Sequence, residues 1–346
     1  MYYSKSCNYP HKDPIGLQRE REREKMKWII LAVAIACPIL FKLADRSKSY
    51  YVSSEPGIVV ITGATSGLGL DSAFDFSSKN YLVLAGARSQ AKADKLQAKA
   101  SAKGFGADVF RAIVLDVTQP EHWTDTLEIT KSAMSETGRE FNGLINNAGV
   151  HHRMFMEHEK DPVTMDIWHK VYDVNIFAVV GLTQVFDSLI KSSKARIVNV
   201  GSVAGEVSVP MSETYSSTKF ALRAITDAWR GLYSMYGVSV SLVAPGYVRS
   251  QMCDPKKEKN CQARGPEDTT TPAYFDAITS THPKSKYIVS DVMFIPTPFG
   301  ELAIPGTFMV PFLNHFVPSR VQDMIVLNEL KKRVVNDQWT SSSSSE

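Results

Sequence analysis

Beyond residue 56 the chain alternates between short unbroken apolar runs and longer stretches with apolar positions at helical spacing. The runs are GIVVIT (57–62), YLVLAG (81–86), FRAIVLDV (110–117), GLINNAG (143–149), ARIVNVGS (195–202) and SVSLVAPG (238–246). Continuous rather than alternating apolar runs are the mark of strands buried on both faces. Between them, LGLDSAFDFSSKN and the charged ARSQAKADKLQAKASAK read as helices. Strands alternating with helices make βαβ units, so the pattern predicts an α/β fold with a doubly wound parallel sheet. Sheets of this kind hold ligands beyond the carboxyl ends of their strands.

The N-terminus follows a different pattern. Residues 1–27 are polar and charged, ending in REREKMK, and WIILAVAIACPILF (Trp28–Phe41) then runs without a charge to Lys42. With Lys27 and Lys42 snorkelling outward, the apolar stretch approaches the length needed to span a bilayer. A cleaved signal peptide fits poorly, because the polar leader is long and no small-residue cleavage site follows. The expected organisation is therefore a leader (1–27), a membrane anchor (28–44) and one folded domain (56–335). The serine-rich tail at 336–346 is low in complexity and expected to be disordered. Residues 1–27 carry seven Lys/Arg against three in 42–61, a bias toward a cytosolic N-terminus and a lumenal domain. If the segment only lies in the interface, the domain is cytosolic.

Composition adds exclusions. A net charge of +3, with no basic stripe interleaved with aromatics, gives no footprint for nucleic acid. Of the four cysteines, Cys253 and Cys261 bracket the polar loop DPKKEKN and are either free thiols or, in a lumenal domain, a disulfide pair. No CxxC and no suitably spaced histidine accompany them, so no metal site is expected.

Two motifs carry chemistry. TGATSGLG (Thr62–Gly69) lies directly between the first strand and the first helix. Glycines there allow a tight turn and close backbone approach, and the helix N-terminus presents free amides to a pyrophosphate. YSSTK places Tyr215 and Lys219 four apart, on one face of a helix. A tyrosine with the ordinary pKa near 10 is a poor proton donor and acceptor at neutral pH, and an adjacent ammonium lowers that value.

Thr62-Gly63…Gly67…Gly69, NNAG at Asn146–Gly149, Ser202 thirteen residues before Tyr215, Lys219 and Pro245-Gly246 stand together in one order and spacing. They closely resemble the short-chain dehydrogenase/reductase family over about residues 56–250, and more loosely to about 330. The resemblance implies a Rossmann-like fold and an NAD(P)-dependent oxidoreductase. It implies Tyr215 as general acid/base, Lys219 holding the ribose and lowering the tyrosine pKa, and Ser202 bonding the substrate oxygen. Asn175 resembles the family's helix asparagine that organises a water chain to the lysine. The implied cofactor contacts are Gly63, Ser66, Gly67, Leu68, Gly69, Arg88, Asp116, Val117, Asn147, Ala148, Gly149, Tyr215, Lys219, Val248 and Ser250. Ser250 stands where relatives usually have threonine. At the end of the second strand, where NAD-preferring relatives place an acid, this chain has Ala87 followed by Arg88. A guanidinium there suits a 2′-phosphate, so NADP(H) is expected over NAD(H). His151 and His152, just past NNAG, are read as loop residues with no part in catalysis.

The region 251–318 contains VMFIPTPFGELAIPGTFMVPFLNHFV and is similar to the substrate-covering segment of membrane-associated steroid and retinol dehydrogenases. With the anchor, it implies a lipophilic alcohol or ketone as substrate and a membrane location, in the endoplasmic reticulum. The family resemblance also implies pairing of two copies through helices of the domain. Two alternatives stay open: a ketoreductase of fatty-acyl or sphingoid synthesis with the same catalytic residues, and a catalytically silent nucleotide-binding scaffold.

Overall fold

The computed structural model of this 346-residue chain describes residues 22, 24–28, 32, 48–151, 164–208, 212–246, 270–289, and, as backbone, 292–297 and 300–305. The chain divides into two compact units, Met1–Ser49 and Tyr50–Glu346. In the first, residues 22, 24–28 and 32 are helical and exposed, with i,i+3 ion pairs from Lys25 to Glu22 and from Lys27 to Glu24. The remainder of the expected leader and anchor lies outside the described residues.

The second unit is built on seven strands: β1 (Ile58–Ile61), β2 (Leu82–Ala87), β3 (Phe110–Val114), β4 (Phe141–Asn146), β5 (Arg196–Val200), β6 (Val240–Pro245) and β7 (Lys286–Val289). They lie in the order β3-β2-β1-β4-β5-β6-β7, every pair parallel. The chain winds outward from β1 to β3, then returns to lay β4 on the other side of β1. That reversal opens a crevice at the carboxyl ends of β1 and β4, where such sheets take ligands.

Alternate side chains of each strand feed two separate cores. Val59, Ile61, Val83 and Ala85 face one side, packed with residues of α1 (Gly67–Ser78), α2 (Gln90–Ala102) and α7 (Thr271–Thr279). Ile58, Val60, Leu82 and Leu84 face the other, against α3 (Pro120–Thr137), α5 (Ala178–Ser193) and α6 (Glu213–Ser234). Burial on both faces is why the six strands read as unbroken apolar runs. The seventh does not: KYIV is four residues long, only Tyr287 is fully buried, and its polar flanks hide it in sequence. Within the stretch 251–318, α7 and β7 complete the core and the sheet. Tyr274 is wholly buried, and β7 pairs with β6. A separate antiparallel hairpin, β8 (Val292–Thr297) with β9 (Gly300–Pro305), follows.

α4 (Met165–Tyr172) runs through a π-helical turn, Asp173–Phe177, into α5. Among the described residues this continuous helix alone is long and apolar enough to cross a membrane. Its apolarity is that of a core element: Leu182, Phe186 and Ile190 pack on the sheet, and the buried Asn175 and Thr183 make hydrogen bonds inside the fold.

A buried polar chain ties the central layers together. Asn146 on β4 donates to Thr183 Oγ1 of α5 (3.2 Å) and to Asn199 Oδ1 of β5 (2.9 Å), and Asn199 donates to Thr226 Oγ1 of α6 (2.9 Å). At the opposite end of the sheet Arg196 is buried, donating to the carbonyls of Tyr51 (2.6 Å) and Ser280 (3.1 Å) and lying 5.2 Å from the Tyr50 ring centre. Tyr50 and Tyr51 thus lie at the amino ends of the strands.

Removing the Asn199 amide strips Asn146 and Thr226 of partners in a dry interior. Asn199→Ala is expected to cost roughly 1–3 kcal/mol, read as a lower urea midpoint with an unchanged m value.

Candidate active site

The loops after β1 and β4 are knitted into one platform. Thr62 Oγ1 accepts from the backbone amides of Asn147 (2.9 Å) and Ala148 (2.8 Å), and Asn147 Nδ2 donates back to the Thr62 carbonyl (2.9 Å). Gly63 adopts φ +65° and lies so close that a Cβ there would sit 2.9 Å from Ala148 Cα. Gly69 is tighter still, its Cβ position 2.4 Å from Asn147 Nδ2 and 2.6 Å from the Gly63 carbonyl. Tyr274, from α7, closes the underside by donating to Asn147 Oδ1 (3.1 Å). The motif reading gave Thr62 no role in this platform and did not single out Tyr274. Thr62 stood inside the quoted motif; nothing local in sequence links Tyr274 to it.

Ser66 stands at the N-cap of α1, but its side chain makes no cap bond, and the first turn holds no acid. The turn therefore leaves its amides uncapped by side chains, the condition for receiving an anion. Arg88, exposed, stands just past the end of β2. Past β3, Asp116 Oδ1 accepts from both the amide (3.0 Å) and hydroxyl (2.8 Å) of Thr118, which fixes the turn into α3, and Val117 is buried. Gly63, Ser66, Gly67, Leu68, Gly69, Arg88, Asp116, Val117, Asn147, Ala148 and Gly149 thus all fall at the carboxyl ends of β1–β4. Val248, Ser250, Cys253 and Cys261 lie outside the described residues.

The second half of the site hangs from α6 and β5. Lys219 is 4% exposed and donates from Nζ to the Val200 carbonyl at the end of β5 (2.8 Å). Its Nζ lies 5.5 Å from the Tyr215 ring centre and 3.6 Å from where a Gly149 Cβ would be. Burial depresses the Lys219 pKa to about 8. Burial likewise raises that of Tyr215, and a hydrogen bond from Ser202 opposes the rise by favouring phenolate. Ser202 Oγ also accepts from the Ala204 amide (3.1 Å), which sets the short turn Val203–Gly205. Glu206, next in the chain and buried, is gripped by Arg223 of α6 (2.9 Å) and Lys286 of β7 (2.7 Å). The Ser202 turn is so tied to both neighbours.

Asn175 occupies the π-helical turn. Its Oδ1 accepts from the Val150 amide (2.9 Å), and its Nδ2 donates to the Val150 carbonyl (3.0 Å) and to Thr218 Oγ1 (3.0 Å). The amide therefore bridges the β4 loop to the helix of Tyr215 and Lys219. His151, read from sequence as a bystander, packs edge-on to Tyr215 with ring centres 4.6 Å apart.

A doubly wound sheet with an open phosphate-type loop and a Ser-Tyr-Lys group at the switch point defines a nucleotide-dependent oxidoreductase. The sequence model of the short chain dehydrogenase family matches residues 57–260, and the chain belongs to that family. It is an NAD(P)-dependent dehydrogenase/reductase. It is 29% identical to the human dehydrogenase/reductase SDR family member 9, over 67% of this chain and 68% of that one. With mouse retinol dehydrogenase 5 it shares 30% identity over 64% of this chain and 66% of that protein. A 3-oxoacyl-[acyl-carrier protein] reductase with bound NAD from Brucella melitensis superposes with a TM-score of 0.57 at 21% identity, over 69% of this chain and 91% of its own, and matches the fold.

The depressed Lys219 pKa has a testable stability consequence. Below about pH 8 folded and unfolded chains both hold the proton, and the folded state bears the full desolvation cost. As pH rises from 8 toward the ordinary lysine value of 10.5, the folded state releases its proton first and the cost fades. Lys219→Met is uncharged at every pH. Its stability relative to wild type is expected to fall by about 3 kcal/mol between pH 7 and pH 10.5, measured by denaturant titration at each pH.

Proposed function

We propose that this chain interconverts a lipophilic alcohol and its ketone or aldehyde, preferring NADP(H), with Tyr215 as the proton donor and acceptor. The observation that carries the reading is the Tyr215 phenol, hydrogen-bonded by Ser202, with the Lys219 ammonium buried beside it. A nicotinamide dinucleotide, when bound, supplies or accepts the hydride. The residues present fit such a group: the close-packed Gly63 and Gly69, the uncapped first turn of α1, and a buried ammonium next to Gly149.

In this reading Gly63 and Ser66–Gly69 hold the pyrophosphate, Asp116 and Val117 flank the adenine, and Arg88 faces the 2′-phosphate. Asn147, Ala148, Gly149 and Lys219 receive the ribose, and Val248 and Ser250 the carboxamide. In the reducing direction Tyr215 Oη gives its proton to the substrate oxygen while Ser202 Oγ donates a hydrogen bond to the same atom. In the oxidising direction the proton returns to Tyr215. Lys219 favours the phenolate electrostatically, against the desolvation that disfavours it. Asn175 fixes the loop under the site and holds the lysine's surroundings.

A lipophilic substrate is supported by the apolar stretch at 292–317, the apolar run at 28–44 and the name of the mouse relative, a retinol dehydrogenase. The same features support anchoring through residues 28–44 in the endoplasmic reticulum membrane, with residues 1–27 as a leader and 336–346 as a tail. Pairing of two copies through the α5 and α6 side is supported by the exposed rings of Phe177 and Phe220.

The test follows NADPH and NADH consumption by membranes carrying the full chain, offered ketosteroids, retinal and 3-ketoacyl lipids. Tyr215→Phe at matched expression is expected to lower turnover roughly 10²–10⁴-fold. Wild-type turnover in that variant sinks the mechanism, and NADPH binding without turnover of any substrate points to a scaffold. Arg88→Asp is expected to raise KM for NADPH at least tenfold and to leave KM for NADH unchanged or lower; an unaltered ratio removes Arg88 from cofactor choice.

A further inference from the structure

We infer that His151 is a positioning residue for Tyr215, clamped against the phenol by Ser212; the inference rests on the reading of Tyr215 as the acid/base. Val150, the residue before it, is held at both its amide and its carbonyl by Asn175. The His151 side chain therefore starts from a fixed backbone. Its ring meets the Tyr215 ring at 68° with centres 4.6 Å apart, an edge-to-face contact. Its Nε2 lies 3.2 Å from Ser212 Oγ.

Ser212 is the telling partner. It occupies the N-cap of α6, the helix that carries Tyr215 and Lys219, and serine is among the residues favoured there because its hydroxyl accepts a first-turn amide. Here the Ser212 hydroxyl makes no cap bond and turns to the imidazole instead. The geometry gives up a local helix bond for a contact that joins the β4 loop to the start of α6.

The torsion that turns a phenol ring about its bond to Cβ is broad and weakly restrained on its own; it leaves Oη on the axis but sets the ring plane and with it the direction of the O–H bond. Ser202 fixes the hydroxyl end of Tyr215 by a hydrogen bond, and His151 fixes the ring. Together they fix the plane in which the O–H bond can point at a substrate oxygen, and the packed ring resists a bodily shift of the side chain. A displacement of an ångström at such a group is enough to cost about 10²-fold in rate.

The experiment uses the full chain in membranes with the substrate and cofactor found active above. His151→Ala is expected to lower kcat about 10–100-fold while leaving KM for the dinucleotide unchanged. His151→Gln, which keeps a bond to Ser212 without the ring, is expected to fall between the two. Adding Ser212→Ala to His151→Ala is expected to cost nothing further. In a Tyr215→Phe background His151→Ala is expected to be silent, because its effect passes through the phenol. An equal loss in that background, an unchanged kcat, or an effect confined to KM for the carbonyl substrate overturns the inference.

A second readout does not depend on turnover. With 3-fluorotyrosine incorporated, the ¹⁹F resonance that disappears in Tyr215→Phe is expected to shift and broaden in His151→Ala, with the protein's thermal midpoint within a few degrees of wild type. An unmoved resonance refutes the contact. If Tyr215→Phe itself proves fully active, the acid/base reading fails, and the resonance still reports whether His151 holds the ring.

Discussion

The site depends on burying one ammonium without a carboxylate beside it. Lys219 gives its hydrogen bond to the carbonyl of Val200, and no acid among the described residues pairs with it. Such a charge is expensive to desolvate, and the depressed pKa records that strain. Much of the surrounding structure serves to hold it there. Gly205 lets the Ser202 turn press on the helix, its Cβ position 2.6 Å from the Lys219 carbonyl. An acid placed to neutralise the lysine would relieve the cost and also cancel the field that favours a phenolate at Tyr215.

The two halves of the site are assembled by different means. On the β1–β4 side the fixing is local, from the Thr62 and Asn147 side chains to backbone groups of the facing loop, with Gly63 and Gly69 packed close. That platform has little freedom. On the β5–α6 side the fixing is by side chains across elements: Asn175 to Val150 and Thr218, and Glu206 to Arg223 and Lys286. The buried Glu206 pairs matter less as a source of stability than as a fixed angle between the Ser202 turn, α6 and β7.

The first six strands, the glycine loop and the Ser-Tyr-Lys group were legible in the chain because each is a local signal. A strand covered on both faces must be apolar throughout, and a tight turn under a helix must contain glycine. β7 was not legible, since four residues with one buried ring carry no period. Neither was the part played by α7: its Tyr274 reaches Asn147 across 127 positions. Asn175 could be marked by resemblance, but its two bonds to Val150 arise only from the fold. The contact of His151 with Tyr215 likewise joins loop and helix elements far apart in sequence. Local chemistry is written in the sequence, whereas contacts between distant elements are set by the order of the sheet.

That order also governs when the protein can come into being during its synthesis. β1 is completed at Ile61, yet its inner neighbour begins at Phe141, and Ile58 pairs with Phe141 across 83 positions. At ribosomal speeds of about 5–20 residues per second, β1 waits roughly 4–17 s for that partner to be made, with only β2 beside it. Four consecutive apolar residues are unshielded on one edge through that interval. A nascent chain of this design is most exposed to misassociation before residue 146 has emerged, so the middle of translation is when a chaperone would have most to do.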